Sequence, residues 1–293
     1  MSRFLPSRLI VALAQMQCSE DPRINWEQAS DLIAQAASRQ ADVVCLPELF
    51  MGRYPCQRED HRQFTQAESI PGPTSQRLAQ LAQRHEVVLV GSLFERRAPG
   101  LFHNTAVVFE RDGELLGCYR KMHIPDDPCY HEKFYFSPGD GGYPVFETSA
   151  GRIGVAVCWD QWFPEVARLL ALGGAELVLY PTAIGWLREE KEAWGSSQTD
   201  AWITTMRAHA IANGLFVAAV NRIGAEASIE FWGSSFCCDP YGRVVAQGAD
   251  REGPQLVVAE IDPSLVETAR THWPFLRDRR VDSYDGLLRR FLR

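Results

Sequence analysis

The sequence predicts an α/β domain with mixed sheets, on three observations. Short runs rich in Val, Ile and Leu recur at residues 9–16, 41–49, 86–94, 105–109, 151–159, 175–181, 214–221 and 254–261, each of a length that suits a buried strand. Helix-like segments at 25–39, 74–85, 163–173 and 199–213 separate several of them, and such alternation marks parallel pairing. Two turn signals, Arg111-Asp112-Gly113 and Asp239-Pro240-Tyr241-Gly242, add antiparallel hairpins.

Each element has a local reason. The run at 9–16 follows Arg3 and Arg8, but Gln15 and Gln17 interrupt it, so it suits a strand better than a signal peptide. The run at 41–49 ends in Pro47-Glu48, a carboxylate at the mouth of a buried strand. Residues 121–143 carry Pro125, Pro128 and Pro138 and read as a long ordered loop; loops of that length inside a compact domain are usually functional. The run at 151–159 leads through Cys158 to Pro164, a helix-entry proline. The helix at 199–213 places Trp202, Ile203, Met206, His209 and Ala210 for burial. Residues 271–293 hold two aromatic–apolar clusters separated by charge, too few for a core but fit to pack on a neighbouring subunit.

Composition narrows the function. The 293 residues are 46% hydrophobic and 23% charged, enough to fill a substantial core, and no polar linker divides them. One domain over 1–293, with 271–293 as a C-terminal extension, is expected. A net charge of −7 argues against nucleic acid, whose binding rests on clustered Lys and Arg. No apolar stretch approaches the roughly 20 residues of a membrane span. The eight cysteines form no CxxC pair and no Cys/His cluster at zinc spacing, so free thiols, no metal, no cofactor and a cytoplasmic location are expected. Cys237 and Cys238, adjacent in a strand, would point to opposite faces, at most one of them toward the core.

Cys158 stands where a strand turns into a helix. That geometry exposes a side chain and aims the following N–H groups outward, where they can lower a thiol pKa and hold an oxyanion. A thiol nucleophile needs a base. Among the histidines, His123 and His131 lie in the long loop and His209 in a helix, and none stands out. Glu48 and Lys121 are better placed, each charged and each at a strand end.

These three strand ends together resemble the nitrilase superfamily of carbon–nitrogen hydrolases. Leu46-Pro47-Glu48-Leu49-Phe50 resembles its glutamate motif, Tyr119-Arg120-Lys121-Met122-His123 its lysine motif, and the stretch from Val157 through Cys158, Trp159 and Asp160 to Glu165 its cysteine motif. Supporting segments are 132–136, 138–140, 221–224, 233–236 and Arg279-Arg280. The resemblance implies a four-layer αββα sandwich with two mixed β-sheets packed face to face, and homo-oligomers built from dimers. It also implies a Glu48–Lys121–Cys158 triad with Glu132 as a second glutamate positioning Lys121 or water.

The residues after Cys158 narrow the branch. Nitrilases carry Cys-Trp-Glu-Asn, whereas this chain has Asp160-Gln161. Carbamoylases acting on amino-acid derivatives place arginines there for a substrate carboxylate, a bidentate fit; here Asp160, Gln161 and Trp162 stand instead. The resemblance therefore implies a small carbamoyl amine or amide, N-carbamoylputrescine above all, with another amidase or carbamoylase, or a silent interaction module, as alternatives. A cationic tail needs acids or aromatic faces. Asp160, Glu59, Asp60, Asp126 and Asp127 are candidates, with Trp159, Trp162, Tyr130 and Trp186 as walls. Where that branch has a glycine-rich Asp-Gly-Pro-Gly turn, this chain has Asp126-Asp127-Pro128-Cys129, and the lost glycines restrict the loop.

Overall fold

The computed structural model describes residues 8–249 and 253–293. Residues 1–7, which include Arg3, and 250–252 lie outside the described residues. The strands are β1 (Leu9–Gln15), β2 (Val43–Cys45), β3 (Val88–Ala98), β4 (Leu101–Phe109), β5 (Leu115–Arg120), β6 (Val145–Thr148), β7 (Gly151–Val155), β8 (Leu177–Pro181), β9 (Gly185–Leu187), β10 (Phe216–Val220), β11 (Ile223–Glu226), β12 (Ile229–Trp232), β13 (Phe236–Cys238), β14 (Val244–Gln247) and β15 (Gln255–Ile261). The helices are α1 (Pro22–Ser38), α2 (Pro73–His85), α3 (Glu132–Tyr135), α4 (Pro164–Leu172), α5 (Arg188–Asn213) and α6 (Ser264–His272).

Two six-stranded sheets, β15-β1-β2-β3-β4-β5 and β14-β13-β10-β8-β7-β6, pack face to face. Each is mixed: β1, β2 and β3 are parallel, as are β7, β8 and β10, and the outer strands pair antiparallel. Strand alternation builds the layers. Val11 and Leu13 of β1 enter the core between the sheets, while Ala12 and Ala14 meet Leu32 and Ile33 of α1 and Leu78 of α2. Val166 and Leu170 of α4, with Trp202 and Met206 of α5, cover the second sheet. The αββα sandwich is the one expected.

Three features differ from the sequence reading. Helix α5 begins at Arg188 instead of 199, because its first turns, Arg-Glu-Glu-Lys-Glu, are exposed and carry no apolar period. A third, three-stranded sheet, β11-β12-β9, forms from segments too short to read as strands. Cys237 and Cys238 are both fully buried, since both faces of that sheet are covered. Among the described residues no helix is long and apolar enough to cross a membrane.

Topology brings the marked strand ends together. Two antiparallel steps, β3 to β4 and β4 to β5, restore the direction of β2, so Glu48 and Lys121 leave the first sheet at the same end. Cys158 follows β7 of the facing sheet.

Candidate active site

Glu48, Lys121 and Glu132 are wholly buried and Cys158 is 5% exposed. Such burial of three charged side chains is tolerated only when they satisfy one another. The Lys121 ammonium donates to Glu48 Oε1 at 2.8 Å and to both Glu132 oxygens at 2.7 and 2.8 Å. Tyr54 donates to Glu132 Oε1 at 2.6 Å and Asn104 to Glu48 Oε1 at 2.6 Å. Glu48 Oε2 has no hydrogen-bond partner among the described residues. A buried carboxylate oxygen left free is a lone pair available for a proton.

Protonation follows from this packing. Burial and the Glu48 carboxylate push the Cys158 thiol well above its usual range, with Lys121 pulling back, so the resting sulfur is a thiol that needs a base. Burial opposes the Lys121 charge, but Glu132 and Glu48 outweigh it and hold the ammonium protonated. Burial also pushes the Glu132 carboxyl up, to about 7, against the pull of Lys121.

The backbone holds these groups under strain. Cys158 and Leu49 adopt φ of 43° and 49°, left-handed values that non-glycine residues avoid and that concentrate at functional sites. The buried Arg222 guanidinium compensates at the glutamate turn, donating to the carbonyls of Glu48 and Leu49 and pairing with Glu226. Asn221 bonds Ile184 N–H and C=O, fixing the segment whose Ala183 carbonyl lies 3.7 Å from Cys158 Sγ. Gly139 packs on the lysine turn: a Cβ there would come 2.1 Å from the Arg120 carbonyl.

Asp160 is placed differently from expectation. It is wholly buried, and its carboxylate accepts from Tyr119 O–H at 2.7 Å, His123 N–H at 2.9 Å and Val157 N–H at 3.0 Å, with the His123 ring Nδ1 at 2.7 Å. It pins the residue before Cys158 and does not line the cavity at Cys158. Gln161 likewise turns inward, to Trp202 and Thr182, and His209 is a satisfied core histidine on the Gln161 carbonyl.

Cys158 opens into a cavity of about 370 Å³. Tyr130 and Trp159 line it, as do Trp162, Trp232, Gln198 and Leu187. Trp186 does not; its indole is tied to the Gly195 carbonyl and its ring packs on Trp232. Of the expected acids only Asp127 lines the cavity, joined by Glu190. Asp60 is held by Arg62, and Asp126 lies 3.8 Å from His131. Glu190 sits in the polar first turn of α5, where no pattern distinguishes it from its neighbours. Among the described residues no lysine, arginine or histidine lines the cavity.

The loop departure at Cys129 has a structural cost. Cys129 has φ of 65°, a conformation glycine takes freely. Cys129→Gly is expected to stabilise the fold by about 0.5–1 kcal/mol, the relief of strain being partly offset by the freer unfolded chain. Urea unfolding checks this, and a destabilised variant would contradict it.

A thiol beside a free carboxylate oxygen and a clamped ammonium can be deprotonated, attack an electrophilic carbon and pass its acyl group to water. That is the equipment of a thiol-dependent hydrolase of amide-like bonds. A model of the carbon-nitrogen hydrolase family matches residues 10–271, and the chain belongs to that family, the nitrilase superfamily of hydrolytic enzymes. It is 41% identical to N-carbamoylputrescine amidase of Arabidopsis thaliana over 96% of this chain and 95% of the relative. It is 38% identical to the citrullinase of Francisella tularensis over 96% and 98%. The crystal structure of a carbon-nitrogen hydrolase from Helicobacter pylori G27 superposes with a TM-score of 0.94 at 44% identity, covering 97% of this chain and all of that one. A small amide-type substrate follows from the family.

Proposed function

We propose that the protein hydrolyses N-carbamoylputrescine to putrescine, ammonia and carbon dioxide. The observation that carries this reading is the cavity at Cys158, which has Asp127 and Glu190 at its rim and, among the described residues, no basic side chain. Acids at the mouth favour a cationic distal amine, and a distal carboxylate would meet like charge without a counter-ion.

Glu48 takes the Cys158 proton through its free oxygen, and the thiolate attacks the ureido carbon. Lys121 begins with its three donors on Glu48 and Glu132. Protonation of Glu48 weakens its hold, which releases one N–H to the oxyanion beside the backbone N–H of Trp159. Collapse expels ammonia or the amine, protonated from Glu48. Water, deprotonated by Glu48, then cleaves the carbamoyl thioester and the carbamic acid loses carbon dioxide. Glu132 positions Lys121.

Hydrolysis of citrulline is the second reading. It shares the ureido group, and a citrullinase is among the relatives. Ammonia release from N-carbamoylputrescine, citrulline and a simple amide separates the readings. The diamine derivative is expected to lead citrulline by about tenfold or more in kcat/KM, the rim acids being partly screened. Glu190→Gln should raise KM for it about 3- to 10-fold with kcat little changed. Equal or better use of citrulline would overturn the reading.

Exposed Leu287, Leu288, Phe291 and Leu292 in the C-terminal segment support packing on a second copy, hence a homo-oligomer. Eight free cysteines, six of them buried, support a reducing, cytoplasmic setting.

A further inference from the structure

Asn104 lies on β4, between the strands that deliver the carboxylate and the lysine, and it is wholly buried. Three of its polar groups are committed. Its side-chain N–H donates to Glu48 Oε1 at 2.6 Å. Its side-chain oxygen accepts from Ser92 O–H at 3.1 Å, and that same hydroxyl accepts from Leu49 N–H at 3.2 Å. Its backbone carbonyl accepts from Lys121 N–H at 2.9 Å.

We propose that Asn104 is a positioning residue that fixes Glu48 as the working base: with Lys121 it occupies Oε1 and leaves Oε2 free for the thiol proton. The inference rests on Glu48 acting as the base. The Glu48 carboxylate, which only accepts, sets the amide orientation: the Asn104 nitrogen must face it, and the Asn104 oxygen then faces the Ser92 O–H, which donates to it. A donor to a charged carboxylate stabilises the ionised form. Other groups around Glu48 act together with it: the Lys121 ammonium from the end of β5, Glu132 from α3 with Tyr54 on it, and Cys158 from the turn after β7. Arg222, paired with Glu226, bonds the backbone carbonyl of Glu48 and not its carboxylate, and Cys56 and Tyr130 are buried nearby with raised thiol and phenol values. Among these side chains only Lys121 and Asn104 donate to the Glu48 carboxylate.

The test is the pH profile of Cys158 alkylation by iodoacetamide, followed on the Cys158 peptide by mass spectrometry, with kcat/KM for N-carbamoylputrescine alongside. Asn104→Leu keeps the side-chain shape and removes the donor. Asn104→Asp keeps the acceptor toward Ser92 and sets a second carboxylate against Glu48, so a proton is retained between them. Both are expected to move the acid limb of the alkylation profile up by about one pH unit and to lower the plateau of kcat/KM roughly 10- to 100-fold. Should Asn104→Leu fail to fold, Asn104→Asp and Ser92→Ala decide, the latter with a smaller shift in the same direction. An acid limb unmoved in the folded variants would overturn the proposal and leave Asn104 a structural residue only. Alkylation needs no turnover, so a wild-type protein inactive on N-carbamoylputrescine would count against the proposed substrate and still leave Asn104 tested.

Discussion

Cys158→Ala is expected to abolish ammonia release, by a factor on the order of 10⁴ or more, while the protein stays folded. The loss is large because no remaining group of the site can replace the sulfur: Glu48, Glu132 and Lys121 are locked in mutual hydrogen bonds. The fold survives because the hydrogen bond that Sγ makes among the described residues is a long one, 3.7 Å to the Ala183 carbonyl, and because alanine faces the same left-handed backbone that cysteine already occupies at φ of 43°. Circular dichroism and the ammonia assay on one preparation check both halves. Retained turnover would mean that another group is the nucleophile.

Lys121→Met is expected to remove turnover and, unlike Cys158→Ala, to cost about 3–5 kcal/mol of stability, the scale for breaking a buried ion pair from one side. The ammonium compensates two carboxylates that are themselves wholly buried. Without it Glu48 and Glu132 face each other, and one must take up a proton. The second substitution Glu132→Gln should therefore restore part of the lost stability and none of the turnover. Urea unfolding of the single and double variants measures the coupling. A single variant as stable as wild type would contradict the compensating role.

The strand runs were legible in the sequence because burial on both faces makes an apolar run, and Glu48, Lys121 and Cys158 were visible at the ends of such runs, but their joining into one set came from resemblance to a family. The αββα layering came from resemblance to a family, not from periodicity. The start of α5 was not legible, since its first turns are held by solvent-facing polar residues with no apolar stripe. The bracing contacts of Asp160 were not legible, for a physical reason. A carboxylate next to a nucleophile can face the substrate or brace the turn, and only the positions of Tyr119, His123 and Val157, brought in by folding, decide between them. Asn104 and Glu190 were missed because neither carries a sequence signal: one is an amide inside a strand, the other an acid within a charged run.

The most direct measurement of the central claim is covalent labelling of Cys158 with a small electrophilic amide, quantified peptide by peptide, while ammonia release from N-carbamoylputrescine is followed in the same samples. Expected is loss of activity in proportion to modification of Cys158, with excess N-carbamoylputrescine slowing both. Complete modification of Cys158 with ammonia release intact would contradict it.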